Sequence, residues 1–220
     1  MENYEILKKD EELNAIIDSI NKVNESSLLA CHGRYHTTFV INTIETLLSQ
    51  LGFDKHIIEL GKIAGLLHDI GTINGKKGHA FRSSEMCVPF LNKTNLSRED
   101  KDIIIHAIED HSNGDNITSS VGAALLLADK INISKNRVLE LGKQDHWHSN
   151  LLNIEETVLK VDGKNIIVNY IVNDKFSKEI LLGELKKGIT APIKASKYLG
   201  YNCIFELNGN IVDLSEDKDI

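Results

Sequence analysis

The amino-acid sequence predicts a mainly α-helical protein, in which a helical bundle over residues 1–145 is followed by a small α+β unit over residues 146–220. Up to about residue 132, apolar residues recur every three to four positions, which is the period of a helix with one buried face. After about residue 155, they come instead in short β-prone runs. The 220 residues are enough for one large domain with a small appendage.

Six helices are predicted in the helical bundle, before residue 145. The second shows the pattern most clearly, because Phe39, Val40, Ile44 and Leu47 share one face. The predicted helices cover residues 10–24, 36–51, 55–70, 80–91, 97–111 and 118–132.

Three residues mark predicted helix ends. Gly71 should end the third helix, because glycine is a common helix-terminating residue. Pro89 should disturb the end of the fourth, because proline lacks the amide proton of the helical hydrogen bond. Ser97 should cap the start of the fifth, since acidic residues fill the turn that follows it.

The C-terminal unit is predicted from its turns. Asp162-Gly163 and Asn208-Gly209 are each flanked by β-prone runs, which is a hairpin signal. Between the two hairpins, residues 176–199 predict a helix with a break near residues 188–192. The predicted strands are 156–161, 165–172, 203–207 and 210–214.

The composition excludes several classes of protein. With 41% hydrophobic and 26% charged residues, the chain has the values of an ordinary soluble globular protein. The net charge of −7 gives no sign of a basic face, so we do not expect nucleic acid as a partner. No apolar run approaches the roughly 20 residues of a membrane helix, and residues 1–10 lack a signal-peptide pattern. Three scattered cysteines fit reduced thiols, and the sequence therefore predicts a cytoplasmic location.

Polar residues stand where core residues are expected on three of the predicted helices. His36, His111 and Asp129 each share a face with aliphatic residues. Buried polar and charged groups are costly unless they are paired or bind a metal. His68 and Asp69 point about 100° apart on a helix, so they would flank an ion together. Imidazole with carboxylate suits first-row transition metals.

The amino-acid sequence around these residues makes the pattern specific. His36 is followed by Gly65-Leu66-Leu67-His68-Asp69-Ile70-Gly71, and later by Leu127-Ala128-Asp129-Lys130. This order resembles the HD-domain metal-dependent phosphohydrolase superfamily over roughly residues 25–135, and not over the C-terminal third. The resemblance implies a helical bundle and a divalent ion (Fe, Mn, Zn, Co, Ni or Mg) held by His36, His68, Asp69 and Asp129.

The resemblance leaves a second metal ion open. Some HD enzymes, including diadenosine tetraphosphate hydrolase-like proteins, carry two ions, and His79 and His111 match their additional ligands. Asp69 would then bridge the ions. His106 competes with His111, but it lies about 140° away on the helix and is assigned to the outside. The Gly-Tyr-Pro signature of one cyclic-dinucleotide subfamily is absent, which counts against that substrate.

The resemblance also implies a reaction. A metal-activated water would attack the phosphorus of a nucleotide or another small phosphate ester. The predicted catalytic residues are Asp69, which would orient the water, and Lys130 beside a ligand. Arg34, Lys76 and Lys77 are predicted to bind phosphate oxygens, with residues 72–78 as a substrate loop.

Alternatives remain at this point. The same fold supports di-iron oxygenases, and a regulatory module with a non-catalytic metal site is a third reading. His32 and His56 are predicted to lie on the surface, as is the cluster His146-Trp147-His148. The C-terminal unit would close the site, bind an effector or form a homodimer. The sequence decides neither among these roles nor on the substrate.

Overall fold

Helices dominate the first two thirds of the chain, as the apolar periodicity predicts. A computed structural model describes residues 2–214, without the side chains of Glu184 and Lys187. Residues 215–220 of the predicted C-terminal unit lie outside the described residues. The helices of this part are α1 (Asn3–Lys8), α2 (Glu11–Val23), α3 (Arg34–Gln50), α4 (Lys55–Leu67), α5 (His79–Leu91), α6 (Arg98–Asp110), α7 (Ser120–Ile131) and the short α8 (His146–Asn150). The mainly α-helical class is confirmed.

Side-chain caps fix where several helices begin. The side chains of Asp10, Asp54 and Ser119 accept hydrogen bonds from backbone amides in the first turns of α2, α4 and α7. The predicted cap at Ser97 is confirmed, and it forms a reciprocal capping box with Asp100. These caps satisfy amides that have no partner inside the helix.

Helix α7 forms the centre of the bundle. Its residues Val121, Ala124, Leu125 and Leu127 are fully buried, and it packs against α3, α4 and α6. A helix that is apolar all round belongs in a protein interior. Asp129 lies near the end of this helix and is therefore held within the bundle.

The predicted third helix ends earlier than expected. Helix α4 stops at Leu67, His68 is its C-cap, and a short 3₁₀ helix runs from Ile70 to Asn74. Asp69 therefore lies at the junction and not within a continuous helix, with φ −111° and ψ 5°. This break turns the Asp69 carboxylate toward the other helices of the bundle.

Gly71 has a packing role and not the helix-ending role that the sequence predicts. A Cβ atom at Gly71 would lie 2.5 Å from the Ser83 amide nitrogen and 2.6 Å from the His79 carbonyl oxygen. The 3₁₀ segment thus lies directly against the backbone of α5. Ser83 strengthens this contact, since its hydroxyl accepts a hydrogen bond from the Gly71 amide at 2.9 Å.

Substituting Gly71 with alanine should therefore lower the free energy of unfolding by about 1–3 kcal/mol, because two backbones must move apart. Urea denaturation measures the change. Gly183→Ala is the matched control, since an added Cβ there meets nothing within 4 Å. That change should be neutral or stabilising, because alanine is the better helix former. Equal effects of the two substitutions would contradict the close approach.

The C-terminal unit is a four-stranded sheet with two helices. Strands β1 and β2 are antiparallel, β2 and β3 are parallel, and β3 and β4 are antiparallel, in the spatial order β1-β2-β3-β4. The two helices cross over between the parallel strands, as that pairing requires. The elements are β1 (Ile154–Asp162), β2 (Asn165–Val172), α9 (Lys178–Glu184), α10 (Lys187–Tyr198), β3 (Asn202–Leu207) and β4 (Asn210–Ile211).

Two local predictions in this unit need correction. The first turn consists of Gly163 and Lys164, because Asp162 already pairs with Asn165. The helical segment breaks between α9 and α10, before Gly188, and Pro192 lies inside α10. The second turn at Asn208-Gly209 is confirmed, with both residues at positive φ.

The sheet and the helical bundle share one apolar core. Helix α10 packs against α7, and β1 packs against α3. The Thr157 hydroxyl donates a hydrogen bond to the Ile133 carbonyl oxygen at 3.2 Å. The division of the chain near residue 145 stays a prediction. Among residues 2–214, none of the helices combines the length and apolar character that crossing a bilayer requires.

Candidate metal centre

The structure brings together all six side chains predicted as metal ligands. They come from five places on the bundle, and His36, His68 and His111 are at most 1% exposed. Within residues 2–214, three groups of histidine and aspartate atoms lie close enough together to hold a metal ion. The six residues are His36 at the start of α3, His68 and Asp69 after α4, His79 at the start of α5, His111 at the end of α6, and Asp129 on α7.

Asp69 stands at the centre of the cluster, and its two carboxylate oxygens face different histidines. Oδ2 lies 3.3 Å from His36 Nε2 and 3.4 Å from His68 Nε2. Oδ1 lies 3.2 Å from His79 Nε2 and 3.6 Å from His111 Nε2. The carboxylate therefore stands between two histidine pairs.

Backbone hydrogen bonds set the tautomer of three of these rings. Nδ1 of His68, His79 and His111 each donates to the carbonyl oxygen three residues earlier, at 2.6–2.8 Å. With the proton on Nδ1, Nε2 carries a free lone pair directed into the cluster. Such bonds orient imidazoles that bind metal ions.

The facing nitrogens support a cation site. The Nε2 atoms of His36 and His68 are 3.0 Å apart, and those of His79 and His111 are 3.2 Å apart. Two lone pairs at these distances repel each other unless a proton or a cation lies between them. The donor set therefore fits a divalent ion.

Two residues that the sequence analysis did not identify contact His36 at Nδ1, the ring nitrogen on the side away from the cluster. Its Nδ1 lies 2.8 Å from the Asn132 amide oxygen and 2.6 Å from Nη1 of Arg137. With its proton on Nδ1, His36 donates to the Asn132 amide oxygen, Arg137 Nη1 donates to the same oxygen at 3.2 Å, and His36 Nε2 keeps a free lone pair. That atom lies 3.0 Å from Asp129 Oδ1.

The charges of the cluster favour cation binding at neutral pH. Burial would raise the pKa of the Asp69 carboxyl, but the neighbouring histidines outweigh burial and hold the pKa well below its usual range. The Lys130 ammonium has the same effect on the pKa of Asp129. Burial opposes a charge on His68, yet the Asp69 carboxylate raises the pKa of His68. Burial lowers the pKa of His111.

The surface prediction for His32 is wrong. Its side chain is 6% exposed, and its Nδ1 donates to Asp69 Oδ2 at 2.7 Å. Burial lowers the pKa of His32 to about 3, so the ring is neutral. The segment before α3 turns inward because it pairs with another extended segment, through the bridge between Ala30 and Val138. The only available signal was the four-residue spacing to His36.

A cavity of about 590 Å³ opens onto the cluster. Lys76, Lys130 and Arg137 line it together with Asp129. The C-terminal part of the chain contributes a wall that includes Trp147, His148, Leu151, Leu185 and Gly188. The surface prediction for the cluster at residues 146–148 therefore needs correction for Trp147 and His148, since both line the cavity. His148 is fixed there by Asp145, at 2.6 Å from its Nδ1.

Among the predicted substrate-binding residues, only Lys76 lines this cavity. Burial and the nearby guanidinium of Arg137 lower the pKa of Lys76. Arg34 lies elsewhere, with its Nε 2.7 Å from Asp18 Oδ1. Lys77 is exposed and outside the cavity lining. The exposed positions predicted for His56 and His106 are confirmed.

Comparisons with known proteins identify one family that matches more than half of the chain. The HD domain family matches residues 33–161, and the match therefore extends past residue 145 and through β1. A comparison with curated proteins found no match. Among solved structures, the chain is similar to a predicted HD superfamily hydrolase from an uncultured Thermotogales bacterium, with 23% identity and a TM-score of 0.46. That similarity covers 56% of this chain and 67% of the other.

Proposed function

Because the chain belongs to the HD domain family, we propose that it is a metal-dependent phosphohydrolase acting on a nucleotide or another small phosphate ester. One observation carries the proposal. Asp69 presents one carboxylate oxygen to His36 and His68 and the other to His79 and His111. A carboxylate in this position would be able to hold two ions, one through each oxygen.

The donor atoms divide into two sets around this bridge. His36, His68, Asp69 and Asp129 would hold one ion, and Asp69, His79 and His111 would hold the other. Four imidazoles favour Mn, Fe, Co, Ni or Zn over Mg, which prefers oxygen ligands. Bound divalent ions would supply a Lewis acid that lowers the pKa of water and neutralises phosphoryl charge.

The remaining cavity residues fit a phosphate ester. Lys130 bonds to Asp129 and lines the cavity beside Lys76, so both ammonium groups are placed to bind phosphate oxygens. Asp69 would orient the attacking water. Phe81 and Trp147 add aromatic surface on which the organic part of a nucleotide can rest. The cavity volume of about 590 Å³ is in the range of small-molecule sites.

The number of ions tests this assignment. Protein purified without chelator and reconstituted with Mn²⁺ should contain close to two ions per chain by elemental analysis. His111→Ala should reduce this to about one, because it removes a ligand from only one set. His106→Ala is the matched control, since His106 lies on the same helix with 65% of its side chain exposed. It should leave the content at two.

Hydrolysis is measured in parallel on a panel of nucleotides and an aryl phosphate. Hydrolysis by the two-ion protein supports the proposal. Two ions without hydrolysis of any phosphate ester would contradict it, and oxygen consumption by the iron form would then support the oxygenase alternative. An unchanged metal content in His111→Ala would contradict the second ligand set. The cytoplasmic location and the open question of a homodimer stay predictions.

A further inference from the structure

Arg137 is a buried cation without an anionic partner. It is 7% exposed and ends the 3₁₀ helix Lys135–Arg137. Within residues 2–214, no Asp or Glu oxygen lies within ion-pair distance of its guanidinium. Its Nη1 donates to both oxygens of Asn132 and lies 2.6 Å from His36 Nδ1, and its Nε has no partner in the described part of the chain. A buried charge of this kind is costly unless an anion compensates it.

The backbone holds Arg137 in this position. The Arg137 carbonyl oxygen accepts a hydrogen bond from the Cys31 amide at 2.6 Å, and Val138 pairs with Ala30 next to it. The segment is therefore tied to the chain that leads into α3. These backbone contacts fix the position from which the Arg137 side chain extends, and the side chain lines the cavity.

Two neighbouring donors lack acceptors. Arg137 Nε and the Asn132 amide nitrogen are both buried, and neither has a partner among residues 2–214. Both residues line the cavity that holds Asp129. Because the unpaired atoms are donors, the missing partner is an acceptor.

The charges of the side chains that line the cavity indicate which charge this acceptor should carry. Lys76 and Lys130 line the same cavity, as do Glu109 and Asp129, and Lys130 pairs with Asp129. Among residues 2–214, Lys76 and Arg137 are therefore two cationic side chains of this cavity without a carboxylate at ion-pair distance. Like charges in one cavity repel, and an anion that carries more than one charge relieves this most effectively. A phosphate monoester has two negative charges and three non-bridging oxygens, whereas a diester has one charge and two such oxygens.

We propose that Arg137, with Lys76, forms the subsite for the phosphoryl group of a phosphate monoester, beside the metal cluster. The subsite rests on the proposed function, whose substrate class it narrows. The planar guanidinium can offer two parallel donors to phosphate oxygens, which an ammonium group cannot. Arg137 thus binds substrate in addition to touching His36.

Binding of inorganic phosphate tests the subsite. The full chain is loaded with Mn²⁺, and the phosphate dissociation constant is measured by titration calorimetry. Arg137→Gln should weaken binding about 10- to 100-fold, which corresponds to the loss of charged hydrogen bonds, with unchanged Mn²⁺ content. Lys135→Gln is the matched control, because Lys135 is exposed and pairs with Glu155 outside the cavity. It should bind phosphate as the unchanged chain does.

Three results would overturn the subsite. The first is wild-type phosphate affinity in Arg137→Gln. The second is joint loss of Mn²⁺ and phosphate, which would assign Arg137 to holding His36. The third is hydrolysis of bis-aryl phosphate at least as efficient as that of aryl phosphate. Should Arg137→Gln fail to fold, Arg137→Lys replaces it and should still weaken phosphate binding by about threefold or more.

These outcomes separate the subsite from the proposed function. Phosphate binding through Arg137 without hydrolysis of any ester would support the subsite and contradict the proposed function. Ester hydrolysis together with unchanged phosphate binding in Arg137→Gln would support the proposed function and contradict the subsite.

Discussion

Substituting Asp69 with alanine should abolish hydrolysis and remove both metal ions together. Asp69 is the residue that both ligand sets share, so its loss leaves neither set complete. We expect kcat/KM to fall by about 10³-fold or more, since electrostatic and metal contributions of this kind are the largest in such sites. Metal content and hydrolysis rate are measured on the same preparation.

Comparison with two other aspartates makes this test specific. Asp129→Ala should lose about one ion, because Asp129 faces His36 and not His79. Asp102→Ala should change nothing, since Asp102 is exposed on α6. A tightly bound ion that survives in Asp69→Ala would show that the carboxylate does not bridge.

Metal binding should raise the melting temperature by about 8–16 °C. A ligand present at about 1,000 times its dissociation constant stabilises a fold by about 4 kcal/mol, and each kcal/mol shifts the melting temperature of a chain of this size by about 2–4 °C. Scanning calorimetry with and without Mn²⁺ measures the shift. His36→Ala should lose the part that one ion contributes, because His36 belongs to one of the two proposed ligand sets. His56→Ala should keep all of the shift, because His56 lies on the surface. No shift with any first-row ion would mean that the cluster does not bind metal.

This stabilisation should increase with pH. His68 has a raised pKa, so in the metal-free protein its proton stabilises the fold fully below the unfolded pKa of about 6.5. That contribution is lost as pH rises through the raised pKa. A metal ion must displace the same proton, so metal affinity falls as pH drops through that window. Asp69 and Asp129 remain ionised throughout, because their pKa values are lowered. A shift that does not depend on pH between 6 and 8 would contradict this account.

The helices that carry the proposed metal ligands could be predicted because each of these polar residues interrupts a run of apolar residues with helical period. His36, His111 and Asp129 occupy core positions of amphipathic helices, and helical periodicity is visible in a single sequence. The helix start at Ser97 and the turn at Asn208-Gly209 could likewise be predicted from the sequence, since both depend on local chemistry.

His32 and Arg137 were not predictable for a related reason. His32 lies in an extended segment, and Arg137 ends a 3₁₀ helix of three residues, so neither belongs to an element long enough to show an apolar period. The pairing of Ala30 with Val138 brings both to the cluster. Such long-range contacts leave no local mark in the sequence. The break after Leu67 was missed because Ile70 continues the apolar pattern of α4, while the tertiary contact of Gly71 with α5 decides the backbone path.

The C-cap position of two histidines links the ends of their helices to the reactive centre. His68 and His111 each follow the last residue of a helix, and each Nδ1 bonds to a carbonyl oxygen of the final turn. Carbonyls there have no partner within the helix. Fraying of either terminus would break the hydrogen bond that keeps the proton on Nδ1 and leaves Nε2 free to bind a metal ion. Local unfolding of one turn would therefore be enough to lower the occupancy of the proposed metal site.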